Sequence, residues 1–195
     1  MRVHHLGCGT MCPLGGTLID GGAEPAWAPA RLVCHVLLIE TDAHGLLLVE
    51  AGVGLADIAD PVHRLGGMFT NVLQPALDED ETAVRRVEKL GFSPADVSNV
   101  VLTHMDLDHA GGLSDFPEAV VHVTRSEKRA AFARPSRLER ERYRYRPVQW
   151  AHRPRFETYE PEGEPWFGFA AVRQLRGLPP EVLLVPLTGH SRGHS

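Results

Sequence analysis

The chain has only three cysteines, Cys8, Cys12 and Cys34, among 195 residues. An odd number argues against a disulfide framework. Cys8 and Cys12 lie four positions apart and close to His4 and His5, yet no second Cys/His pair at zinc-finger spacing completes a site. Reduced thiols in a Gly-rich N-terminal loop are the expectation. No apolar run approaches membrane-spanning length, and residues 1–6 lack the apolar core of a signal peptide. These absences point to a cytoplasmic protein that does not engage a membrane. Internal repeats, low-complexity tracts and interdomain linkers are missing too, so residues 1–195 read as one domain, long enough to bury a core.

Net charge is low, −5, but unevenly spread. Residues 125–155 hold eleven Arg/Lys and three Glu, a balance of +8, leaving −13 elsewhere. Such blocks mark anion-binding faces or, more commonly, solvated helices. Glu127, Glu139 and Glu141 interleave with the basic residues as helix-surface pairs would. Tyr143, Tyr145 and Trp150 suggest that part of the segment packs down.

What the chain does have is concentrated in residues 103–112, Thr-His-Met-Asp-Leu-Asp-His-Ala-Gly-Gly. Two imidazoles (His104, His109) and two carboxylates (Asp106, Asp108) fall within six positions, directly after an apolar strand over 97–102. Gly111 and Gly112 are expected to take positive φ and turn tightly. A lone His at a strand end usually caps a helix or faces water. Four ligand-type side chains together favour a hard or borderline metal instead.

Elsewhere, strands are predicted at 35–40 and 46–50, joined by a turn through 42–45, and at 119–124 and 182–186. Helices are predicted at 78–90, with an acidic start and Gly91 after its end, and at 126–133, stopped by Pro135. Residues 157–165 read as a polar loop. Alternating strands and helices indicate an α/β layered domain.

Three elements in order resemble the metallo-β-lactamase superfamily. The run His104-x-Asp106-x-Asp108-His109 is similar to its His-x-His-x-Asp-His signature, with Asp106 in place of the second His. Gly189-His190-Ser191-Arg192-Gly193-His194 looks like the Gly-His-Ser/Thr-x-Gly-His segment that supplies the next ligand. Upstream, Leu46 to Gly52 is similar to a strand ending in Asp-x-Gly, with Glu50 in the Asp position.

The resemblance implies an αβ/βα sandwich with a metal site along one edge of the facing sheets. By it, His104, Asp106 and His190 form one metal site, and Asp108 and His109 begin a second. Asp108 is the catalytic candidate, placed to steer a nucleophilic water or a departing proton. Glu50 orients a motif histidine and is not a ligand. The cofactor implied is zinc, one or two ions, with the Asp106 carboxylate shifting preference toward manganese or iron. The family's bridging Asp and last His do not occur before Ser195. The expectation is a chain lacking its last strands and helix, either a fragment or one whose second metal is incompletely held, with His194 either substituting as a ligand or, as is usual in the family pattern, a structural residue.

The function implied is hydrolysis of a small ester, lactone or amide, nearest the lactonase-type branch that includes N-acyl homoserine lactonases and stands near the glyoxalase II enzymes. Two alternatives stay open: a phosphodiesterase or nuclease, favoured by the +8 segment, and a non-catalytic metal-binding domain. A small-molecule substrate is expected and nucleic acid is not, because Glu and Pro interrupt the arginines. A homo-oligomer is left open.

Overall fold

The computed structural model describes residues 1–133 and 141–195, with the backbone alone for Glu141 and Arg142. Pro135 and Glu139 therefore lie outside the described residues, as does the centre of the basic segment. The strands are β1 (Arg2–Met11), β2 (Leu32–Glu40), β3 (Leu46–Val49), β4 (Val97–Val101), β5 (Val120–Thr124), β6 (Arg155–Tyr159), β7 (Glu164–Trp166), β8 (Phe169–Gln174) and β9 (Leu183–Leu184). The helices are α1 (Thr17–Asp20), α2 (Leu55–Ala59), α3 (Pro61–Arg64), α4 (Gly67–Leu73), α5 (Ala83–Lys89), α6 (Leu107–Ala110), α7 (Arg125–Phe132) and α8 (Glu141–Arg144).

Six strands form one sheet in the order β1-β2-β3-β4-β5-β6. β1, β2 and β3 pair antiparallel, and β3, β4, β5 and β6 run parallel. One face buries Leu6, Cys8, Val36, Leu38 and Leu48 against Ala83, Val84 and Val87 of α5 and Ala130 and Ala131 of α7. The opposite face buries Ile39, Leu47, Val101 and Tyr159 against Leu175, Leu178 and Leu184, beside the small β7-β8-β9 sheet. Alternation along each strand directs successive side chains to these two layers. The result is helices on one side and a second sheet on the other, the layering expected of a sandwich.

Several expectations need correction. The N-terminal residues are not a loop: β1 is a ten-residue strand, and Cys8 is fully buried in the core. The thiol of Cys8 is pushed up to about 12, chiefly by that burial, so it stays protonated. Residues 157–165 are not a plain loop either, since β6 ends and β7 begins within them. The helix expected over 78–90 starts later: a 3₁₀ turn over Glu79–Glu81 precedes α5, and Thr82 caps α5 through Arg85 N–H. Gly111 has φ −59°, and both it and Gly112 lie within a 3₁₀ turn. Their need for a missing side chain is steric: a Cβ on Gly112 would run into the Ala51 carbonyl, and one on Gly111 into the Asp57 carboxylate.

Glu127 is the largest departure. It is not on a solvated face but is 0% exposed at the start of α7. Tyr145 and Trp150 pack into the core as expected, whereas Tyr143 is half exposed.

Candidate metal centre

The parallel run β3-β4-β5 brings three strand C-termini to one edge of the sheet. In open α/β sheets that edge is where ligands bind, because the chain leaving each strand is free to present side chains. Glu50 leaves β3, residues 102–109 leave β4, and α7 leaves β5.

Glu50 carries the first signal. It has φ +68° and is 4% exposed. A buried non-glycine residue in the left-handed region stores roughly 1–3 kcal/mol of strain and persists only when its surroundings hold it there. Here they do. Glu50 N–H donates to the Val101 carbonyl at 2.9 Å, and Oε1 accepts from Thr103 N–H at 2.8 Å. Oε2 is left 3.2 Å from His109 Nδ1. Burial works against a charged His109, but Glu50, with Asp108 and Asp106, outweighs it and raises the imidazole to about 9. Glu50 thus lies against His109, a motif histidine, at ion-pair distance.

His104, Asp106 and His190 come together across 84 residues of sequence between Asp106 and His190. Asp106 Oδ2 is 3.4 Å from His104 Nε2 and 3.1 Å from His190 Nε2. One ligand-type atom from each of the three lies within 4.8 Å of the others, and Glu50, His104 and His109 form a second such group. His104 belongs to both. Asp108 comes near His109, with Oδ2 3.6 Å from Nε2, but completes neither group among the described residues. His194 sits behind the centre, its ring 5.1 Å from that of His104, with Nδ1 3.1 Å from the Leu187 carbonyl oxygen.

The donor chemistry fits a divalent cation. His104 Nε2, Asp106 Oδ1, His109 Nδ1 and Glu50 Oε2 are buried and make no well-formed hydrogen bond, their charged neighbours standing 3.2–3.4 Å away. Buried polar atoms are rarely left so. Four of them converging as imidazole and carboxylate is the donor set of zinc, manganese or iron sites. Burial disfavours the Asp106 carboxylate, but His104, Arg144 and His190 hold it below the usual range, so it is an anion.

Three neighbours had no signal in sequence. Cys34, on β2, donates its thiol to Asp108 Oδ2 at 3.3 Å; burial first, and the Asp108 charge next, raise its pKa. Arg144 places Nε 3.3 Å from Asp106 Oδ1 and donates from its guanidinium to the His190 carbonyl at 2.7 Å. Glu127 ties residues 105, 145, 191 and 193 together. Each acts through contacts 18 or more positions away in sequence, which no local pattern encodes.

A cavity of about 390 Å³ opens onto the centre. His104, Asp106, Asp108, His109 and His190 line one side, and Met68, Phe69 and Leu73 from the α4 segment line another. Polar groups facing an apolar wall are the usual make-up of a small-molecule site. No helix among the described residues is long and apolar enough to cross a membrane.

The sequence profile of the Metallo-beta-lactamase superfamily matches residues 29–195. A protein of Mycobacterium tuberculosis described as a probable metallo-hydrolase is 48% identical over 195 residues, covering 100% of this chain and 57% of that protein. The N-acyl homoserine lactonase AttM of Agrobacterium fabrum is 39% identical over 92 residues, 47% of this chain and 35% of the lactonase. An N-acyl homoserine lactone hydrolase, solved with the product N-hexanoyl-L-homoserine at its catalytic metal centre, superposes with a TM-score of 0.70 at 22% identity. That alignment covers 98% of this chain and 67% of the hydrolase and shows a shared fold. The chain spans little more than half the length of the first of these relatives.

Proposed function

The chain belongs to the metallo-β-lactamase superfamily, and from that premise we propose that it is a metal-dependent hydrolase of a small ester, lactone or amide. In this reading residues 1–195 act as one unit. His104, Asp106 and His190 hold one divalent ion, zinc or, because of the Asp106 carboxylate, manganese or iron. His109, held by Glu50, and Asp108 contribute to a second position. A divalent ion supplies Lewis acidity toward an acyl oxygen and lowers the pKa of water to roughly 7 in the zinc case.

The protein's own groups supply the rest. Asp108 faces the cavity and holds the proton of the attacking water or passes it to the leaving oxygen. Cys34 fixes the Asp108 carboxylate through its thiol hydrogen bond. Met68, Phe69 and Leu73 give an apolar substituent of the substrate a place to lie, and they exclude water from that side of the cavity.

The clustering of imidazole and carboxylate atoms beside one cavity carries this reading. The relatives named for lactone hydrolysis support the choice of acyl substrate. The test is turnover of N-acyl lactones, aryl esters and a phosphodiester by the purified chain loaded with zinc or manganese. Lactone or ester hydrolysis that disappears with a chelator is expected. Hydrolysis of the phosphodiester alone would move the chain to the phosphodiesterase class, and tight metal binding without any turnover would make it a binding domain.

A further inference from the structure

Glu127 is an acid on a segment rich in arginine, yet among the described residues its carboxylate is held by backbone N–H and hydroxyl groups. Its carboxylate accepts four hydrogen bonds: Met105 N–H at 3.0 Å and Tyr145 O–H at 2.9 Å on Oε1, Ser191 O–H at 2.7 Å and Gly193 N–H at 3.0 Å on Oε2. An ionised carboxylate has about four lone-pair sites. All are filled, and all by donors. A buried charge is tolerated when its hydrogen bonds are complete.

The placement of those donors matters more than their number. Met105 lies between His104 and Asp106, and Ser191 follows His190. One oxygen therefore holds the loop that leaves β4, and the other holds the loop that carries the distant histidine. The approach is close: a Cβ on Gly193 would collide with Glu127 N and Thr124 Oγ1. Thr124 completes the clamp, its hydroxyl donating to the Gly193 carbonyl at 2.6 Å while accepting from Glu127 N–H at 3.3 Å.

We infer that Glu127 is a positioning residue that fixes the His190 loop against the His104–Asp106 loop and so sets the geometry in which these three side chains can share one cation. The inference rests on the proposed metal site. Its chemistry predicts a specific failure for Glu127→Gln. The Ser191 and Tyr145 hydroxyls can turn to accept from the new amide NH2. Backbone N–H groups cannot. Each carboxylate oxygen serves one backbone N–H, so whichever way the amide lies its NH2 faces either Met105 N–H or Gly193 N–H. One loop must move away.

The experiment uses the 195-residue chain titrated with cobalt(II), whose visible absorption reports ligand number and geometry, and with zinc in competition with a chelator. Glu127→Gln should retain the wild-type far-UV spectrum but bind zinc roughly 10- to 100-fold more weakly, the range for residues that orient ligands, with an altered cobalt spectrum. Glu127→Asp, which keeps the charge and all acceptors, should recover part of both. If Glu127→Gln does not fold, Ser191→Ala removes one donor from Oε2 and should shift the cobalt spectrum in the same sense by a smaller amount. Wild-type zinc affinity and an unchanged cobalt spectrum in a folded Glu127→Gln, or in Ser191→Ala where that variant stands in, would overturn the inference. A wild-type chain that takes up neither metal would instead overturn the metal site itself.

Discussion

Residues 103–109 and residues 188–194 bring histidines to the same centre, but the first continues directly from a paired strand of the sheet, whereas the second is held mainly by side chains reaching from other elements. In the first, the His109 carbonyl accepts from Ala51 N–H just past the paired parallel strands β3 and β4, and the Glu50 and Glu127 carboxylates add bonds from Thr103 and Met105 N–H. In the second, Glu127, Thr124 and Arg144 reach across from other elements to residues 190, 191 and 193. Backbone ladders are inherited from the sheet and survive most substitutions. A clamp of side chains is decided by a few residues and is correspondingly easy to break. His104 is 4% exposed while His190 lies in the open, which is the same contrast seen from solvent.

The sharpest break should come from His104→Ala. His104 is shared by both candidate ligand groups, so tight zinc binding should vanish in a calorimetric titration. Persistence of wild-type affinity would place the metal elsewhere.

A smaller effect should divide the two carboxylates of the first loop. Asp108→Ala should lower kcat on lactones by about 10²-fold even at saturating metal, because a proton-transfer group is lost from the transition state. Asp106→Ala should regain much of its turnover once metal is in excess. Equal recovery by both variants would reduce Asp108 to a ligand.

Gly193→Ala tests the second loop alone. The added methyl must displace residues 188–194 from α7, and overpacking of this kind destabilises by about 1–3 kcal/mol. Weaker metal binding should accompany the lower Tm. A variant with both unchanged would show that the loop tolerates movement.

The least effect on the centre is expected from a change at His122, which belongs to neither candidate ligand group. His122 is 1% exposed between Asn99 and Tyr159, its Nε2–H donating to Asn99 Oδ1 at 2.9 Å and its Nδ1 accepting from Tyr159 O–H at 2.8 Å. Burial lowers its pKa from 6.5 to about 4. The folded state therefore favours the neutral ring while the unfolded chain takes up a proton. The stability this provides is present above pH 6.5 and is lost as pH falls toward 4, by about 2 kcal/mol between pH 6.5 and 4.5 for one such group. His122→Gln should flatten this part of the urea-denaturation profile; an identical slope in both proteins would assign the pH dependence to other groups.

The legible parts of the chain were those written locally. Alternating or continuous apolar runs located β2, β3, β4 and β5, and the cluster of His and Asp after β4 marked the centre. The segment over 189–194 named His190 by its resemblance to a family pattern. The illegible parts depended on partners distant in sequence. The glycines and cysteines of β1 weaken its strand pattern, yet pairing along β2 holds it. Glu127 sits among arginines as a surface residue would, and helix periodicity does not say which acid faces inward.

By itself, then, the sequence determined which residues could coordinate a cation and in which order they occur, since ligand chemistry belongs to side-chain type and spacing. It also carried the family, through three short motifs. Only the tertiary structure decided how His190 reaches Asp106, that Glu127 and Arg144 hold it there, and that Cys34 abuts Asp108. The reason is physical. A ligand's identity is a covalent property of one residue. Its position to within a few tenths of an ångström is a property of the packing and hydrogen bonds around it, and those arise only when the strands have paired and α7 has closed against the sheet.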